Sequence, residues 1–216
     1  MDTEMLCASL IPTVLTGSQL TAFLVVVCFS AGLNIYATLA MLGLLEHAEV
    51  LRLPPGLQLL ENWYVIAACG VLFLAEFVAD KIPVFDLLWN AIHTFVRIPV
   101  AALLTYSATA QLPEWQRFLA TMLGALIALA AHGGKTAARA AVTHSPEPFS
   151  NIALSLSEDG AVALLMWYAT RHPYTAAAIV VAALAIIAMM VRAVVSAMRS
   201  LFGDAEDALA KGAAPR

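Results

Sequence analysis

Charge is what this sequence has least of. Asp, Glu, Lys and Arg make up 12% of its 216 residues, about half the roughly one-quarter share of a soluble domain. Hydrophobic residues reach 62% and mean hydropathy is +0.84, which excludes a disordered chain and argues against a water-facing enzyme domain. No basic residue precedes Arg52 and the chain opens MDTEM. A signal peptide needs a positive leading region, so the first apolar segment is expected to stay in the mature protein. The net charge of −4 offers no basic footprint, and no nucleic-acid partner is expected. The three cysteines, Cys7, Cys28 and Cys69, lie in apolar surroundings without metal-type spacing. They read as packing residues, with neither a disulfide framework nor a zinc site. The HExxH, Walker and GxSxG patterns are missing too, and no cofactor is expected.

What the chain does have is apolar length. No charged residue occurs between Met5 and Leu45. A span needs about 20 residues, so this run predicts a short interfacial or re-entrant piece (5–17) and a long helix over about 20–45. Further spans are predicted at about 63–79, 84–106, 118–141, 152–170 and 174–202, separated by Pro54-Pro55-Gly56, Pro83, Pro113, Pro146/Pro148 and Pro173. Trp63, Tyr64, Tyr106, Trp115, Trp167, Tyr168 and Tyr174 fall at span ends, as an aromatic belt should. Residues 203–216 read as a polar tail. With six spans, both termini share one side with Lys81, Lys135, Arg139, Arg192, Arg199, Lys211 and Arg216, against Arg52, Arg117 and Arg171 on the other. That excess predicts a multi-pass protein with both termini in the cytoplasm.

The two halves, 1–110 and 111–202, read as related. Aligning AGLNIYATLA (31–40) with HGGKTAARAA (132–141) pairs Gly32 with Gly133, Ala37 with Ala138 and Ala40 with Ala141. Aligning GVLFLAEFVADKIP (70–83) with GAVALLMWYATRHP (160–173) pairs Gly70 with Gly160, Leu74 with Leu164, Ala79 with Ala169 and Pro83 with Pro173. Three spans per half is an odd number, so the second half enters the bilayer in the opposite sense. The expected fold class is therefore an all-α membrane protein of about six transmembrane helices in two inverted three-helix repeats, a plan found in transporters.

The little charge present falls inside the spans at helical spacing. Asp86, Asn90, His93 and Arg97 recur at steps of four, three and four; His132, Lys135 and Arg139 at three and four. Asn151, Ser155 and Glu158, with Asp159 alongside, form a third stripe; Ser30, Asn34 and Thr38 a fourth; Glu76 and Asp80 a fifth. Lipid does not solvate charge, so such residues need partners or a wet cavity. Asn34, Glu76, Asp80, Asp86, Asn90, His93, Arg97, His132, Lys135, Arg139, Glu158 and Asp159 are the candidate ion- or solute-binding residues. They predict a polar vestibule open to the cytoplasm and narrowing toward His93, Arg97 and Asn34. The competing reading is a set of structural ion pairs, such as Asp80 or Asp86 with Lys135 or Arg139. Gly133-Gly134 beside these charges marks either close helix packing or an unwound point. SPEPFSN (145–151) starts a helix, as a plain cap or as an anion-favouring N-terminus.

The strings AGLNIYATLAMLGL, FVADKIPVFDLLWNAIHTFVRIP and AHGGKTAARAAVTHSPEPFSNIALSLSED resemble a family of bacterial integral membrane proteins, domain of unknown function four-one-two-six, over about residues 20–200. The resemblance implies a bacterial inner-membrane protein. It marks Asp80, Lys81, Asp86, His93, Arg97, His132, Lys135, Arg139 and Glu147 as motif positions, with Val100 standing where the family pattern has glycine. It carries no activity. The residues favour a small transporter or channel for an ion or a small polar or anionic solute, with His93 as a proton-relay candidate. A membrane-embedded enzyme acting on a lipid headgroup and a structural membrane subunit are the alternatives. The lipid bilayer and the solute are the expected partners; homo-oligomerisation and a bound metal are left open.

Overall fold

In the computed structural model the described residues are 13–15, 17–80, 83–142 and 148–212. The side chains of 83–88, 90, 140–142, 148–151, 197, 198 and 201–212 lie outside the description. The described chain is nearly all helical: α1 (Ser18–Leu33), α2 (Ile35–His47), a 3-10 turn (Pro55–Glu61), α3 (Trp63–Ala79), α4 (Pro83–Ala108), α5 (Glu114–Val142), α6 (Pro148–Arg171) and α7 (Pro173–Gly212). Proline opens α4, α6 and α7, where its fixed φ suits a first helical turn and its missing N–H is not needed. Two short strands, β1 (Thr13–Val14) and β2 (Leu51–Arg52), pair in parallel and tie the entry to α1 to the loop after α2. Of the expected interfacial piece, 5–12 and Thr16 lie outside the described residues.

At the centre lies α1. It is apolar on every side, so it is stable only when enclosed, and it packs against α4, α5, α6 and α7. Small residues permit the close approach. A Cβ on Gly32 would sit 2.4 Å from the Ala128 carbonyl oxygen and 2.7 Å from the Ala131 Cβ, both on α5. Small-residue crossings of this kind let helix backbones touch in lipid, where dispersion has to replace the hydrophobic effect between helices.

The predicted helix over 20–45 is broken in two. Asn34 is extended (φ −148°, ψ 105°), with α1 ending before it and α2 starting after it. Its N–H still donates to the Ser30 carbonyl, closing α1, while its side-chain Oδ1 accepts from the Ala37 N–H and caps α2. At 1.5 Å per residue α1 reaches about 24 Å and α2 about 20 Å, each short of a ~30 Å hydrocarbon core.

The remaining spans keep close to their predicted limits. The exception is α7, which stays helical to Gly212, past the start of the expected tail. Among the described residues, four helices are long and apolar enough to cross a membrane: Ala91–Ala108, Glu114–Arg139, Ile152–Arg171 and Pro173–Ser196. The 3-10 turn and α3, bent by 69°, make a fifth if they count as one span. This is the helix inventory of an integral membrane protein.

Candidate functional site

The polar stripes converge. Glu76 and Asp80 come from one face of α3, His93 and Arg97 from α4, His132, Lys135 and Arg139 from α5, and Ser155, Glu158 and Asp159 from α6. Steps of three and four put each set on a single helix face, so four helices facing one axis bring them together. Asn34 joins from the break between α1 and α2.

Three bases meet three acids in direct ion pairs. Arg97 pairs with Glu76 Oε1, and both residues are fully buried. Arg139 Nη2 lies 2.7 Å from both Asp80 Oδ2 and Glu158 Oε2. Lys135 Nζ stands among the acids, 3.3 Å from Glu158, 3.5 Å from Glu76 and 3.7 Å from Asp80. Its shortest bond is none of these: it donates at 2.9 Å to the carbonyl of Leu33, the last residue of α1. A lysine therefore neutralises the negative end of a helix that stops inside the molecule.

A fourth acid, Asp159, holds the other side of the joint. Its Oδ1 accepts from Asn34 Nδ2 at 2.9 Å. Its Oδ2 has no hydrogen-bond partner among the described residues and is shielded from solvent, as are Glu76 Oε2, Asp80 Oδ1 and the Ser30 hydroxyl.

The two histidines differ in what they can do. Arg97 can only donate, so His132 Nδ1, 2.8 Å from Arg97 Nη1, must accept. The ring proton then sits on Nε2, which donates to Thr94 Oγ1 at 2.7 Å. Adding a second proton would set N–H against the guanidinium. His93 is arranged the other way: the Trp89 carbonyl can only accept, so Nδ1–H donates to it at 2.8 Å. That leaves Nε2 to accept from the Tyr36 hydroxyl at 2.9 Å, or to carry a proton and donate to it. His93 is fixed on both sides by rings, stacked on Trp89 at 4.5 Å and edge-on to Tyr36 at 5.5 Å.

Ten candidate residues are thus gathered in one polar cluster. Glu76, Asp80, Arg97, His132, Lys135, Arg139 and Glu158 are joined by ion pairs and hydrogen bonds. Asn34 and Asp159 are joined by their own bond beside Lys135, and His93 bonds to Tyr36 and Trp89 at the side. Asp86 and Asn90 lie on α4, but their side chains, like Lys81 and Glu147, are outside the described residues. All ten are buried except Asp159, which is half-buried. Among the described side chains the site is a set of ion pairs in which each base has an acid within reach. Tyr36, Thr94 and the Leu33 carbonyl were not foreseen. Tyr36 and Thr94 stand beside predicted positions, but only the helix packing aims them inward. Among the described residues, no group of three His, Cys, Asp or Glu side chains is placed to hold a metal ion.

No curated protein and no solved structure matches this chain. The family described as a domain of unknown function, DUF4126, matches residues 22–193, from the second turn of α1 into α7 and across every residue of the network. A match over that much of the sequence is decisive: this chain belongs to the DUF4126 family.

Proposed function

We propose that the chain is a small transporter of the bacterial inner membrane, moving an ion or small polar solute through the network around the α1–α2 break. The observation that carries the reading is the break itself. A helix interrupted inside an apolar bundle exposes unpaired backbone groups, which is tolerated only where protein or a wet cavity satisfies them. Here the two ends are held by charged groups of other helices, Lys135 at Leu33 and Asp159 at Asn34. Discontinuous helices at the contact between repeats are a recurrent way to build a solute site.

In this reading α1 and α2 together make the first of six crossings, α1–α4 form one repeat and α5–α7 the inverted other, and both termini are cytoplasmic. Two features support the repeat. The alignment pairs Asn34 with Lys135, and Lys135 bonds to the residue beside Asn34, as expected of equivalent positions near a two-fold axis. Pro83 and Pro173, also paired, each open the third crossing of their half in this reading.

The test is flux into proteoliposomes under gradients of sodium chloride, potassium phosphate or glycine. Wild type should pass one of these faster than protein-free liposomes, and Glu76→Gln and Arg97→Gln, checked for monodispersity, should lose that flux. The structural-subunit alternative draws on the complete pairing of the three bases. It expects no flux from wild type and only lowered stability from the variants; that outcome would overturn the transport reading.

A further inference from the structure

We propose that Asp159 is the proton-carrying residue of this site, taking up and releasing a proton on Oδ2, and that the coupled ion is therefore H⁺. This rests on the transport reading above and names its second ion.

The argument starts from charge. Among the described side chains the network holds three bases, Arg97, Lys135 and Arg139, against four acids, Glu76, Asp80, Glu158 and Asp159. Glu76, Asp80 and Glu158 each touch a base; Asp159 has no ion pair among them. An unpaired carboxylate with one oxygen shielded from water is costly to keep ionised, and a proton is the smallest ion that removes the charge.

Geometry decides which oxygen takes it. Oδ1 accepts from Asn34 Nδ2, whose amide has only donors on that side, so Oδ1 stays unprotonated in either state. Oδ2 has no partner. Protonation there converts –COO⁻ and H⁺ to –COOH, breaks no existing hydrogen bond and supplies a donor to an empty position. The Ser30 hydroxyl, fully buried and also without a partner among the described residues, lies four residues before Asn34 in the last turn of α1. Shielded polar atoms without partners mark places where a water or ion belongs.

The surroundings explain how the proton is felt elsewhere. The charges facing Asp159 are Lys135 from α5 and Glu76 and Asp80 from α3, with Glu158 beside it on α6; Asn34 is its contact from the α1–α2 joint. Ionised, Asp159 competes with the Leu33 carbonyl for Lys135. Neutral, it leaves Lys135 on Leu33 and the joint closed. One proton thus biases both bonds that hold the broken helix.

The experiment encloses a pH-sensitive dye in proteoliposomes and follows proton movement driven by sodium chloride, potassium phosphate or glycine gradients, alongside solute flux. Wild type should move protons with solute, Asp159→Glu should retain this, and Asp159→Asn should fall to the proton rate of protein-free liposomes. Solute flux without proton movement, or Asp159→Asn carrying protons like wild type, overturns the proton assignment and leaves the transport reading intact. No movement of either in wild type overturns both. Infrared difference spectra between acid and alkaline buffer give a measure that does not need the Asn variant to fold. A protonated-carboxyl band that shifts in Asp159→Glu supports the assignment, and a spectrum in which that band is absent or unmoved overturns it.

Discussion

Replacing Lys135 by methionine keeps an unbranched chain one atom shorter and removes the one base that touches three acids and a helix end. The network is left with Arg97 and Arg139 against Glu76, Asp80, Glu158 and Asp159. Lys135 is 4% exposed, so water does little to screen the loss. Removing one member of a buried ion pair costs about 3–5 kcal/mol, chiefly because its partner is stranded. The Leu33 carbonyl loses its 2.9 Å donor as well, a penalty of about 1–3 kcal/mol for a buried acceptor. The two effects share one side chain and do not simply add, so a loss of about 4 kcal/mol is the working expectation. Unfolding of the detergent-solubilised protein by titrated SDS, followed by tryptophan fluorescence, reads it. Adding Glu158→Gln removes the nearest acid, 3.3 Å away, and restores the surplus of one acid. The double variant should recover about 0.5–3 kcal/mol relative to additivity, the range for coupled neighbours. A loss below about 1 kcal/mol for Lys135→Met, or strict additivity with Glu158→Gln, would refute the claim that Lys135 neutralises this network.

Two further substitutions probe the frame around the site. Gly32→Val places a Cβ 2.4 Å from a backbone oxygen of α5, which cannot move without shifting the helix. It should cost about 1–3 kcal/mol or more in the same unfolding assay, and wild-type stability would disprove the close crossing. Asn34→Ala removes the α2 cap, worth about 1 kcal/mol, and also strands Asp159 Oδ1. It should therefore destabilise more than Asp159→Asn, which preserves the cap; the reverse order would mean that the joint is not held through Asn34.

Much of the fold was legible because the bilayer imposes simple rules. Apolar length and proline positions marked α3 to α7 within a few residues, except where α7 continues as helix beyond 202. The stripes were legible for the same reason: a charge in a span is rare, so Glu76, Arg97, Lys135 and Glu158 stood out, and spacing alone put each set on one face. The break at Asn34 was not legible. A single asparagine inside a helix costs no more than about 0.7 kcal/mol, so an uninterrupted helix over 20–45 was the natural reading. The cap it makes with Ala37 is a local signal, but an asparagine in an apolar run gives no hint that Lys135 and Asp159 wait on other helices to hold both sides of a gap.

The same division holds for charge. Composition by itself determined that this chain lives in a membrane and that its few ionisable residues must find one another there, since lipid offers them nothing else. Which base meets which acid, that His132 is held by Arg97 while His93 faces Tyr36, and that Asp159 is left over, depended on how α4, α5 and α6 pack around α1 and α3 packs on α2 and α4. Such pairings are decided across the packed bundle, by contacts between residues far apart in the chain, and no periodicity along one helix encodes them.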